Sequence, residues 1–198
     1  MRESPAIPGY THGTDVVPKS PVSLEEFEQM KQSTLFGDDD IQQLRKSHDI
    51  LSGLEDEILD VWYGFVAATP HLVASFSSRH TGEPLGDYLG AVRKRFGRWI
   101  TDTARADYDQ AWLDYQHEIA HRHYRTGKNR TDGAESTDIV PFRDLFLLIF
   151  PVTHTLRPFL ARKGHSAEEV DAMHAAWVKS CLLQITLWSY PYVKEGDF

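Results

Sequence analysis

Residues 112–125 read Trp-Leu-Asp-Tyr-Gln-His-Glu-Ile-Ala-His-Arg-His-Tyr-Arg. At about 100° per residue, Trp112, Tyr115, Ile119 and His123 fall on one stripe of a helix, and that stripe aims His123 at a core. His117 and His121 lie roughly 120–160° away around the same helix, beside Asp114 and Gln110, and are expected to face water. A histidine closing an apolar stripe has two readings. It is a hydrogen-bonded core residue, since a buried imidazole is tolerated once it has a partner, or it is a ligand presented to something held inside. The neighbouring helices decide between them.

Moving towards the amino terminus, Tyr88, Leu89, Val92, Phe96, Trp99, Ile100 and Thr103 recur at helical spacing over about 20 residues. The same helix carries Arg93, Lys94, Arg95 and Arg98, which reads either as a solvated basic face or as a rim that meets an anionic ligand. Residues 70–84 form a turn-rich corner with Phe76 as its large apolar anchor. Before it, Leu54, Ile58, Val61, Trp62 and Phe65 predict a helix ending at Thr69-Pro70, and its Trp62-Tyr63 pair sets an indole beside a phenol. Asp38 to Asp40 open an earlier helix whose face is Ile41, Leu44, His48 and Leu51, with a break at Gly53. Ser23 and Glu26 make a capping box for a short helix bearing Leu24, Phe27 and Met30. Residues 1–22, with Pro5, Pro8, Pro18, Pro21, Gly9 and Gly13, predict an extended arm that dangles or lies on the domain.

Moving towards the carboxyl terminus, Gly127 to Asp138 is a polar loop, and Pro141 opens a helix to about Phe159 with an expected kink at Pro151. Phe142, Leu145, Phe146, Leu148, Ile149, Phe150 and Val152 make that helix apolar nearly all round. It therefore needs cover from its own core and from a partner subunit. Ser166 and Glu169 cap a last helix with the stripe Val170, Met173, Trp177, Cys181, Gln184, Ile185 and Trp188, closed by Pro191. No stretch alternates as a strand does. The chain reads as all-α, with seven or eight helices.

A chain of 198 residues, 41% apolar, supports one domain, taken as 23–198 behind the arm at 1–22. The formal charge of −8 argues against a nucleic-acid or membrane-surface binder, both of which need a positive field. The single cysteine, Cys181, rules out an internal disulfide and reads as packing. No signal-like run opens the chain, and the uncharged runs, such as Ser180 to Val193, are too short for a bilayer, so a cytoplasmic protein is expected.

The sharpest motif is His117-Glu118-Ile119-Ala120-His121, the HExxH of zinc hydrolases. Its histidines fall on the polar side and no strand is available to hold a substrate backbone, so the zinc hydrolase stays a minor alternative. No nucleophile elbow and no phosphate-cradling glycine loop is present. What remains is an apolar pocket assembled by several helices around one inward histidine. Haem asks for that combination: an axial imidazole, an apolar cavity, cations for the propionates and a controlled opposite face. His123 supplies the first, and Arg95 is the candidate cation.

Several segments resemble protoglobins: Trp62-Tyr63-Gly64-Phe65-Val66; Tyr88 with Ala91-Val92-Arg93-Lys94-Arg95-Phe96; Tyr108 to Gln116; His123 with Arg125, Lys128 and Asn129; Pro158 to His165; and Leu187 to Tyr192. The arm segment Ile7-Pro8-Gly9-Tyr10 is similar too. The resemblance implies a globin fold with an amino-terminal extension and an additional first helix. It further implies haem b (iron protoporphyrin IX), the gases O2, CO and NO, and a homodimer through the 141–159 and 166–190 helices. Residue by residue, it puts His123 at the axial iron position, Trp62 and Tyr63 at the distal pair, Phe96 and Val152 on the distal wall, Val66 beside them, and Phe76 at the corner packing on the macrocycle. Leu148 stands where relatives often carry an aromatic, implying a roomier distal side. His117 and His121 lie outside the family pattern. An enzyme acting on NO, nitrite or peroxide at the same site is the alternative to simple gas binding, for sensing or scavenging.

Overall fold

A computed structural model describes residues 6–198, so Pro5 of the expected arm lies outside the described residues. The Ser23–Glu26 capping box is formed and opens α1 (Leu24–Ser33). Helix α2 (Asp38–Leu51) begins with three aspartates against its positive end, and Gly53 turns the chain after it at φ +85°. Helix α3 (Glu55–Ala67) carries Trp62 and Tyr63. Pro70 starts the one-turn α4 (Pro70–Val73), followed by a tight turn through Phe76. Next come α5 (Gly86–Arg105), α6 (Gln110–His123), α7 (Phe142–Leu147), α8 (Ile149–Leu160) and α9 (Ala167–Ser189). Among the described residues there is no strand, only two isolated bridges at Ser77–Pro84 and Ser78–Ser136. The fold is the all-helical, globin-like one.

Helix α9 is the keel, packed against α2, α6 and α8. Its Trp177 is fully buried, and the indole N–H donates to Ser47 Oγ at 2.9 Å, so the largest core side chain keeps its polar edge satisfied. Phe27 of α1 buries completely against Tyr108 and Trp112, which explains why a short first helix holds. A smaller cluster of Trp62, Val66 and Leu72, joined by Phe76, Leu148 and Val152, meets this core through Tyr63 and Phe96.

Four expectations need correction. Helix α3 is rotated relative to the predicted stripe, burying Leu59 and Val66 and leaving Val61 and Phe65 substantially exposed. Helix α2 turns Ser47 and Ile50 inward as well as Leu44 and Leu51, with Ile41 only partly buried against the core and His48 partly exposed beside Asp49. The long helix breaks at Leu148, not at Pro151; proline lacks the N–H that the carbonyl four residues back would accept, and its ring crowds that carbonyl, so the interruption falls upstream. Asp114 does not face water but is buried at 5% exposure, accepting from Lys19 Nζ at 2.8 Å, the Ser20 N–H at 2.9 Å and Gln110 at 2.7 Å. The arm thus lies on α6.

The expectation that no run suits a bilayer also missed one segment. Residues 142–163 are long and apolar enough to cross a membrane by length and composition, because isolated charges at the ends interrupt the uncharged run without changing its character. Here Thr153, Leu156, Phe159 and Leu160 of that segment are buried within the fold.

Burial opposes charge on Asp114, but the Lys19 ammonium, the Ser20 N–H and the Gln110 amide hold its carboxyl below the usual range. A carboxyl depressed in the folded state stabilises above its unfolded pKa and loses that contribution as pH falls through the folded value. Asp114→Asn is therefore expected to cost about 1–3 kcal/mol at neutral pH. The gap from the native chain, read by denaturant melts, closes below the ordinary carboxylate range.

Candidate functional site

The last residue of α6 is His123, and the chain leaves it extended at Tyr124. Three contacts hold this end. The His123 carbonyl accepts from the Val140 N–H at 2.9 Å and from the Tyr192 hydroxyl at 2.7 Å. The imidazole stacks on Trp188 with centroids 5.1 Å apart and planes 14° from parallel. The indole N–H of Trp188 is in turn anchored on Gln116 Oε1 at 2.8 Å.

His123 Nδ1 sits 2.9 Å from the Ile119 carbonyl oxygen. A carbonyl can only accept, so Nδ1 carries the proton and, in the neutral ring, Nε2 carries the lone pair. Burial disfavours the cation and lowers the pKa of His123; the Ile119 bond works the other way, and the charges of Lys128 and Arg122 add to the lowering. A neutral imidazole with its second nitrogen unoccupied is the form that ligates a metal.

That imidazole borders a cavity of about 270 Å³. The cavity brings together every side chain expected at the site: Trp62, Tyr63, Val66, Phe76, Arg95, Phe96, Leu148 and Val152 line it along with His123. Trp62 and Phe96 meet edge to face at 5.8 Å and 88°, which locks the wall. The Tyr63 hydroxyl is buried with no hydrogen-bond partner among the described residues, and burial pushes its pKa upward, so it remains a protonated donor. A donor left unpaired in an apolar cavity costs stability unless something else satisfies it.

The polar end lies under the arm. Arg95 is committed to Asp132, with bonds of 2.9 and 2.6 Å, and to the Pro8 carbonyl at 3.0 Å. Arg122 pairs with Glu118 and donates to the Gly9 carbonyl at 2.6 Å. Gly9 has φ +73°, and a Cβ there would come within 2.5 Å of Thr131 and 2.8 Å of Arg95, so only glycine lets the arm lie this close. Tyr10 and His12 complete the lining, the Tyr10 hydroxyl donating to Asp102 at 2.6 Å. Of the basic cluster on α5, Arg93 is likewise paired, with Asp56 and Asp60.

A protein-family model described as Protoglobin matches residues 23–198. This chain belongs to the protoglobin family. It is accordingly a globin-type protein that binds haem and gaseous ligands. No curated protein matches it.

The residues fit a protoglobin's haem: the neutral His123 imidazole, whose Nε2 lone pair receives no donor among the described residues, apolar walls, and an unsatisfied hydroxyl in the same cavity. The HExxH residues of this protoglobin are used otherwise. His117 and His121 are half-buried, with Nε2 atoms 3.1 Å apart, and His121 Nδ1 meets Thr126 Oγ1 at 2.6 Å in an exposed contact. Glu118 is engaged by Arg122, and no third metal-ligating side chain joins the pair among the described residues. Cys181 borders the cavity as packing, its thiol pushed up to about 12 by burial. Sequence reasoning missed Trp188 as the plate behind His123, Tyr192 as its tether, and Tyr10, His12 and Lys128 as lining. The stripe on α9 pointed at Trp188, whereas the others lie in arm or loop segments with no periodic signal.

Gly127 packs against the end of α6, where a Cβ would sit 2.7 Å from the His121 carbonyl oxygen and 2.9 Å from its carbon. Gly127→Ala should displace the last turn that carries His123, at a cost of about 1–3 kcal/mol in a denaturant melt, and weaken haem retention in parallel. Unchanged retention with lowered stability would separate that turn from the site.

Proposed function

We propose that the chain holds haem b, iron protoporphyrin IX, through His123 Nε2 and reversibly binds O2, CO or NO on the Trp62–Tyr63 side, for gas binding, sensing or scavenging. One observation carries this. The Nδ1 proton of His123 is spent on the Ile119 carbonyl while Nε2 stays available, and the same cavity holds the unpartnered Tyr63 hydroxyl. Haem, when bound, supplies the ferrous iron at which a diatomic gas is taken up.

The protein's own residues do the rest. Ile119 fixes the imidazole tautomer, and Trp188 fixes the ring's tilt. Trp62, Phe96, Leu148 and Val152 form an apolar wall that limits water. The Tyr63 hydroxyl is a donor for a polar diatomic entering the cavity. Leu148, a leucine where relatives often carry an aromatic, favours a wider distal space.

The same reading places the protein in the cytoplasm as a homodimer through the 141–159 and 166–190 helices. Phe150 and Leu147 are 72% and 67% exposed in the single chain, with Phe142 and Phe146 beside them, an apolar face that a second copy would cover.

His123→Ala is expected to abolish stable haem retention; a purified variant with an unaltered Soret band would reject the axial assignment. Tyr63→Phe should speed O2 release by roughly two- to tenfold, the worth of one hydrogen bond. CO release, from a weaker acceptor, should change little. Stopped-flow traces showing equal changes for both gases would remove Tyr63 from that role.

A further inference from the structure

The cavity's polar end contains one cation that the fold leaves unmatched. Arg95 faces Asp132, and Arg122 faces Glu118. Lys128 also borders the cavity, is buried at 4% exposure, and makes no ion pair with any carboxylate among the described residues. Its ammonium donates to the Ser75 carbonyl at 2.9 Å and to Ser136 Oγ at 3.4 Å, and lies 5.4 Å from the centre of the Tyr88 ring. These partners are neutral. The acid whose charge acts on it, Asp138, is bound to Arg79 at 3.0 Å.

A buried ammonium without a counter-ion is expensive, and lysines are rarely held that way. We propose that Lys128 Nζ receives a propionate carboxylate of the bound haem, and that it, and not Arg95, is the principal cation for that group. The proposal rests on the haem reading of the cavity and adds to it which end of the cavity the carboxylates occupy. Ser75 and Ser136 then act as the cradle that aims the ammonium, using two of its three protons and leaving the third for the ligand. Burial lowers the Lys128 pKa to about 8, a penalty on the ammonium that a carboxylate beside it would offset. Arg95, held bidentate by Asp132, instead pins the arm through the Pro8 carbonyl.

The test uses the full chain and the Lys128→Met variant, each loaded with haem or with haem carrying both propionates as methyl esters. Loss of the cofactor to an excess of a scavenging apoprotein is followed through the Soret band. If Lys128 holds a carboxylate, Lys128→Met releases haem about tenfold faster and releases the ester at the native rate. Lys128→Gln, which keeps a donor towards Ser75 but has no charge, behaves as the methionine variant does and carries the test if that variant folds poorly. Equal acceleration for haem and ester, native release from Lys128→Gln, or no acceleration at all would overturn the proposal by leaving Lys128 a tie between two loops. Failure of the underlying reading looks different: the native chain would then retain neither haem nor ester.

Discussion

The hydrogen bond from His123 Nδ1 to the Ile119 carbonyl organises the site. It is made within one turn of α6, between residues four apart, so forming the helix also fixes the imidazole's tautomer and turns Nε2 away from the backbone. Burial then keeps the ring neutral, with no acid among the described residues offsetting the charge. Trp188, lying nearly parallel to the ring, settles the remaining rotation. Local geometry thus supplies the ligand, and α9 supplies its rigidity.

Around that imidazole the protein separates two kinds of surface. The walls built by α3, α5 and α8 are apolar and aromatic, broken by one hydroxyl that the fold does not satisfy. The end under the arm is crowded with charge, yet nearly all of it is matched internally: Arg95 with Asp132, Arg122 with Glu118, Arg98 with Asp102. Those pairs serve the arm, whose carbonyls at Pro8 and Gly9 accept from Arg95 and Arg122. An arm without helix or strand can lie in place because its carbonyls at Pro8 and Gly9 find donors on α5 and α6, and its Ser20 N–H and Lys19 ammonium find the Asp114 carboxylate on α6.

The helices were legible in the sequence because their signals are local. Capping boxes at Ser23 and Ser166 and the stripe Trp112, Tyr115, Ile119, His123 need only neighbours a few residues away, and the inward imidazole followed from that stripe. The role of Tyr63 was different: periodicity marks an aromatic on α3, and only the family resemblance set it at the distal position. Asp114 escaped because the group that buries it comes from residues 19 and 20, about 95 positions away. Lys128 escaped because a loop has no period to read. The break at Leu148 shows a further limit, since Pro151 announces a defect without stating on which turn the chain will yield.

The central claim, that His123 presents a neutral imidazole with Nε2 available to a cavity walled by Trp62, Phe96, Leu148 and Val152, is tested most directly by the absorption spectrum of the haem-loaded chain after reduction, recorded before and after CO is added. The account predicts a five-coordinate ferrous spectrum with one histidine ligand that shifts completely on adding CO. A six-coordinate spectrum with two histidines, or that of haem free in solution, would contradict it.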